Sequence, residues 1–87
     1  MFVATVRVTL RPSILDPQGK AIHHALHSLG YDAVDDVRAG KLIELRIDTD
    51  DRAEAERIAR EASQKLLANE VMEDFTVEVE PVAAVAA

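Results

Sequence analysis

The sequence predicts an α+β domain with the element order strand, helix, strand, strand, helix, strand. Three observations predict it. Phe2–Leu10 alternates apolar and polar side chains with a period of two, two later stretches carry apolar residues at helical spacing behind oxygen-bearing caps, and Val71–Val79 closes the chain with a second run rich in β-branched residues.

The first strand sets Phe2, Ala4, Val6, Val8 and Leu10 on one face and Val3, Thr5, Arg7, Thr9 and Arg11 on the other; Pro12 has no N–H for a ladder and ends it. Asp16 is a good N-cap, and Pro17 suits the first position of a helix that runs to about Leu29. Ala21, Ile22, Ala25, Leu26 and Leu29 form its apolar stripe, and Gly30 supplies the stop. Gly19 in the first turn costs about 1 kcal/mol against Ala; on local grounds it reads as a plain helix start, and a close approach to the backbone is the alternative. His23 and His27 stand four apart off the stripe; a zinc site would need further ligands, and no nearby residue clearly supplies them.

Ala33–Arg38 reads as a short strand, Ala39-Gly40 as a tight turn, and Lys41–Asp48 as a stronger strand, together a hairpin. The adjacent carboxylates Asp35 and Asp36 would point to opposite faces, which argues against a paired acid–base site. Asp48, Thr49, Asp50 and Asp51 crowd cap oxygens and negative charge at the start of the second helix, which extends to about Ala68. Its buried stripe is Ala55, Ile58, Ala59, Ala62 and Leu66, with Glu56–Arg60 and Glu61–Lys65 as i,i+4 pairs. The last strand, Val71–Val79, has its core face broken by Glu73 and is closed by Pro81. The domain is expected to span residues 1–81, and the Ala/Val tail 82–87 to fray or to pack on a partner.

This order is the split βαβ, ferredoxin-like arrangement, an antiparallel sheet with both helices on one face. The other face would carry Val3, Thr5, Arg7 and Thr9 with either the Leu42 or the Ile43 set, and any apolar surplus there points to a homodimer or tetramer assembled through the sheet. At 87 residues the core is small, and without cysteine the available support is oligomerisation. The missing cysteines also exclude thiolate nucleophiles, Cys-based zinc sites and soft-metal carriage. A net charge of −6 opposes binding to nucleic acid, and Lys41–Asp48 lacks the aromatics an RNA-binding sheet needs. The start resembles no signal peptide, and no stretch approaches the roughly 20 apolar residues of a membrane span. A cytoplasmic location is expected.

Arg11-Pro12-Ser13-Ile14 is a poor phosphate-cradling loop, and no nucleophile–base constellation stands out. Two readings of the residues remain, a small-molecule-sensing module of the ACT type and an assembly subunit without chemistry of its own.

Further motifs carry a family resemblance. They are Leu15-Asp16-Pro17-Gln18-Gly19 followed by Ala21, Ala25-Leu26, Leu29-Gly30-Tyr31, Val37-Arg38-Ala39-Gly40-Lys41, Glu44, and Lys65-Leu66-Leu67-Ala68-Asn69 leading to Glu73-Asp74-Phe75. From Val3 to about Val79 the chain resembles PurS, the small subunit of phosphoribosylformylglycinamidine synthase. Glu70 stands where that family usually has proline. The resemblance implies a non-catalytic subunit in purine biosynthesis that bridges a glutaminase subunit, PurQ, and a synthetase subunit, PurL, and assists ammonia transfer between them. It implies no cofactor on this subunit, since ATP and magnesium belong to the synthetase. On this reading Asp16, Pro17, Gln18 and Gly19 form a shaped loop against a partner subunit, where Gln18 donates and accepts hydrogen bonds and Arg38 and Lys41 add positive contacts; the alternative for each is local structure, a cap, a helix start or a solvated turn.

Overall fold

The computed structural model describes residues 1–82; the tail expected to fray lies, beyond Val82, outside the described residues. The elements are β1 (Phe2–Leu10), α1 (Pro17–Ser28), β2 (Gly40–Ile47), α2 (Arg52–Ala62), a π-helical turn (Ser63–Leu67) and β3 (Glu73–Pro81). The strands form one antiparallel sheet in the order β2-β1-β3. The α+β class and the antiparallel sheet thus stand.

The strand expected at Ala33–Arg38 does not form, and with it the hairpin goes. After a turn in which the Val34 N–H reaches the Tyr31 carbonyl, the segment runs directly into β2. Its Val34 N–H and carbonyl are taken by Tyr31 and His23, and just beyond it the Ala39 N–H points to Asp16. Asp35 and Asp36 are also poor strand formers. Ala39-Gly40 is therefore no tight turn. Gly40 is the first residue of β2, and a Cβ there would come within 2.6 Å of the Val8 carbonyl.

One sheet face makes the core. Val6, Val8 and Ala4 of the central strand are fully buried, flanked by Ile43, Leu45 and Ile47 of β2 and Phe75, Val77 and Val79 of β3. Helix α2 lies over it through Ala55, Ala59 and Ser63, small residues that let the helix sit close. The Ser63 hydroxyl is satisfied by the Ala59 carbonyl at 2.7 Å. Its polar surface pairs Arg57 with Glu61 at 2.9 Å and Glu54 at 3.9 Å, instead of the expected Glu56–Arg60 and Glu61–Lys65.

The sequence places Leu66 in the buried stripe; the structure leaves it 81% exposed. The last turn widens to a π-helix, in which the Ala68 N–H reaches the Ser63 carbonyl. One extra residue per turn rotates the face, so Leu67 and Ala68 meet the sheet in its place.

The opposite face takes the Leu42, Glu44, Arg46 alternative. Thr5 lies between Glu44 and Glu78, Arg7 between Leu42 and Thr76, and Val3 between Arg46 and Glu80. Arg7 pairs with Glu78 at 3.1 Å. This face is polar apart from Val3 and Leu42, so the surplus apolar sheet surface expected from sequence is not there.

Part of the exposed apolar surface sits around the π-turn at Leu66 and Val71, and part on α1 and its cap. The helix ends in a Schellman arrangement, with the Tyr31 N–H on the Leu26 carbonyl, the Gly30 N–H on the His27 carbonyl, and Gly30 at φ 95°. Within one chain α1 packs extensively against neither the sheet nor α2, and Gly19 is its only buried residue. Ile22, Leu29 and Tyr31 are 40%, 72% and 59% exposed. Helix and returning segment 29–39 form an arm, joined along its length by His23, whose Nε2–H donates to the Val34 carbonyl at 2.8 Å. The radius of gyration, 16.5 Å, exceeds the about 12 Å of a compact chain of this length.

The π-turn makes a specific prediction. Leu67→Ala should lower the unfolding free energy of the isolated chain by about 1–2 kcal/mol, and Leu66→Ala by under about 0.5 kcal/mol, measured by urea unfolding. The opposite order would mean that the helix runs on in α register.

Candidate functional site

The base of the arm gathers most of the residues that the motifs singled out. Asp16 caps α1 from extended backbone (φ −107°, ψ 96°), the conformation that turns its side chain back over the first turn. Its Oδ1 accepts the Gly19 N–H at 3.0 Å, and its Oδ2 accepts the Ala39 N–H at 2.7 Å, 23 residues away. One carboxylate thus satisfies an orphan donor of the helix and fixes the entry to β2. Its own carbonyl accepts the Lys20 N–H. The side chain is buried, at 5% exposure of the residue. The Gly19 N–H, and after it the Ala39 N–H, hold its carboxyl below the ordinary value of 3.8, with help from the Arg38 guanidinium and the Gln18 N–H against the opposing effect of burial.

At Gly19 the close approach, and not the plain helix start favoured on local grounds, is what the structure shows, and the approaching group is the chain itself. A Cβ at this position would lie 2.2 Å from the Val37 carbonyl oxygen. Arg38 donates through one guanidinium nitrogen to the carbonyls of Arg11 at 2.9 Å, Ile14 at 3.0 Å and Leu10 at 3.5 Å. These are the carbonyls that β1 leaves behind as it passes into the loop before α1. Arg38 therefore holds that loop from outside while Asp16 holds it from within.

Pro17, Gln18 and Lys41 are exposed. Gln18 and Lys41 border a shallow cleft of about 190 Å³ with Asp16, Ala39, Gly40 and Glu73. Lys41 Nζ stands 3.9 Å from Glu73, whose side chain is only 15% exposed. The structure thus brings Asp16, Gln18, Gly19 and Lys41 together, with Arg38 on the neighbouring side of the same loop beside Thr9, Pro12 and Asp36.

Sequence reasoning gave Glu73 no role beyond interrupting a strand face. It accepts the Asn69 N–H at 2.8 Å and anchors the turn into β3. The signal was available: an acid on an otherwise apolar face, four residues after an asparagine in a connection. His23 and His27, weighed as a metal pair, are engaged separately, His27 with Asp32 at 3.2 Å. Among the described residues no group of three or more His, Asp or Glu is placed to hold a metal ion, and no helix is long and apolar enough to cross a membrane.

Two outcomes follow from this geometry. The folded carboxyl of Asp16 titrates below its unfolded value, so its contribution to stability is present above about pH 4 and is lost as the pH falls through the lowered folded value. Urea midpoints measured between pH 2 and 6 should therefore drop at the acid end for the parent chain and drop less steeply for Asp16→Asn. Gly19→Ala should cost about 2 kcal/mol or more by the same assay, because its methyl meets backbone and not a side chain that can swing away.

Comparison with known proteins places this geometry. The family model described as PurS, phosphoribosylformylglycinamidine (FGAM) synthase, matches residues 3–81. The chain is 50% identical over 84 residues to the phosphoribosylformylglycinamidine synthase subunit PurS of Bacillus subtilis, covering 97% of this chain and 99% of that protein. The solved structure of B. subtilis PurS superposes with a TM-score of 0.83 at 49% identity, over 93% of this chain and all (100%) of the other. The PurS chain fold is also matched in the structure of PurLQS from Thermotoga maritima, with a TM-score of 0.81 at 27% identity over 92% and 99% of the two chains. From sequence, fold and the loop that Asp16 organises, the chain belongs to the PurS family of FGAM synthase subunits.

Proposed function

We propose that this chain is the PurS-type subunit of an FGAM synthase complex in purine biosynthesis, a structural partner of separate glutaminase and synthetase subunits. The observation that carries the reading, beside family membership, is the arm. Ile22, Leu29 and Tyr31 lie exposed on an ordered helix and its cap, a surface that ordinarily marks an interface. The well-satisfied polar groups of the loop beneath it fix that surface in place.

On this reading the chain associates with further copies of itself and with the two large subunits, as the PurLQS assembly of T. maritima exemplifies for its relative. The glutaminase releases ammonia, and the synthetase, which carries ATP and magnesium, uses it to convert the formylglycinamide ribonucleotide to the amidine. The contribution of the PurS-type chain is fit. Ammonia that escapes to bulk water is diluted and protonated, and closely packed interfaces prevent that loss. No reactive side chain is needed for this work, and the subunit binds no cofactor of its own. Such a role belongs in the cytoplasm. Among the six loop residues, Pro17, Gln18 and Lys41 present exposed groups to a partner, while Asp16, Gly19 and Arg38 support them.

Glutamine-dependent synthesis should appear when this chain is mixed with the cognate glutaminase and synthetase subunits and be absent without it. Equal activity from the two large subunits alone, with no co-elution of this chain, would overturn the reading. Gln18→Ala should raise the concentration of this chain needed for half-maximal activity by about tenfold, equivalent to a lost contact of about 1.4 kcal/mol, with an unchanged urea midpoint.

A further inference from the structure

Among the described residues the hydrogen bonds that tie the arm to the rest of the chain lie at its base. Along its length the bonds that hold α1 run to its own returning segment: His23 to Val34, Tyr31 to Leu26, Val34 to Tyr31. None of these reaches the sheet. At its base, Asp16 receives the Ala39 N–H, Arg38 bonds the carbonyls of Leu10, Arg11 and Ile14, and the Gly19 backbone lies against Val37. A rod held only at one end has its direction set there. A small change of angle at the base displaces Tyr31 far more than it displaces Asp16, and α1, at 12 residues, is about 18 Å long.

We propose that Asp16 and Arg38 are positioning residues that set the angle of the α1 arm to the sheet, and that the assembly contact is made by the arm they orient and not by their own side chains. The two act from opposite sides of one loop. Asp16 ties the start of the helix to the start of β2, and Arg38 ties the end of β1 to the same stretch of chain. Their cooperation is electrostatic as well as geometric, since the guanidinium lies close enough to favour the charged carboxylate. Removing either leaves every core contact between α2 and the sheet in place, because neither residue belongs to that core. What the arm is for rests on the assembly reading above; that its angle is set at this base does not.

Amide hydrogen exchange on the full chain at neutral pH separates the two statements. Asp16→Asn puts an amide where a carboxylate oxygen received an N–H, and Arg38→Met keeps length while removing the donors. In both variants amides 20–34 should exchange at least about tenfold faster, while those of β1 and β3 keep their parent rates, the signature of a locally loosened unit. Leu29→Asp, on the exposed face of the arm, should leave exchange unchanged. All three should weaken binding to the mixed large subunits by about tenfold or more, read by titration. Equal acceleration in β1 and β3, or none in the arm, would overturn the positioning role. A loosened arm with undiminished binding in both base variants would overturn its link to assembly. Failure of the parent chain to bind the large subunits would instead remove the assembly reading, with the exchange pattern still deciding the angle. If Asp16→Asn does not fold, Arg38→Met decides alone.

Discussion

The buried carboxylate of Asp16 ties the start of α1 to the entry of β2. With one oxygen it closes the first turn of α1 and with the other it anchors the strand entry at Ala39. An ionised acceptor of two N–H groups is a stronger connector than a neutral one, and burial spares it competition from water. Its neighbours conform to it. Gly19 must lack a side chain for Val37 to come near, and Arg38 meets the carbonyls of Leu10, Arg11 and Ile14 where β1 passes into the loop. Because the backbone from Val37 to Ala39 is committed here, it does not turn back to form a fourth strand.

The rest of the molecule has a simpler logic. A central strand buried on one face by a helix of small residues gives a thin two-layer body with 14 Å as its shortest extent. Ala55, Ala59 and Ser63 bring α2 close, and the π-turn then re-aims the chain so that Leu67 and Ala68 close the far end of the core. The other sheet face is covered by charge. Arg7 with Glu78 and Arg11 with Asp74 are exposed pairs that add little stability, but they make that face soluble. Exposed apolar side chains remain on the arm, at Ile22, Leu29 and Tyr31, and around the π-turn and the entry to β3, at Leu66 and Val71.

A subunit of this construction suits a task of holding and fitting. Several of its charged groups pair within the chain, and the arm carries exposed apolar side chains set out from the body. For a complex that passes a small, easily lost intermediate between two active centres, shape and rigidity at the contacts matter more than reactivity in the connecting piece.

Much of this was legible in the sequence. The alternation in Phe2–Leu10 identified the core face of β1, and Asp16-Pro17 and Gly30 marked both ends of α1, because these are local effects of pattern and cap; at Gly19 the close backbone approach was only the second reading. The loop motif also carried the family. What tertiary structure alone decided were the partners of those groups. Nothing local tells Asp16 that its second oxygen will find Ala39, or Arg38 that its guanidinium will serve three carbonyls 24 to 28 residues back. The weak strand signal at Ala33–Arg38 lost to the bonds that Val34 makes with Tyr31 and His23, and Leu66 lost its place in the core to one residue added in a helical turn. Sequence periodicity reports which faces are apolar; which face is covered depends on bonds between distant segments, and these exist only once the chain has folded.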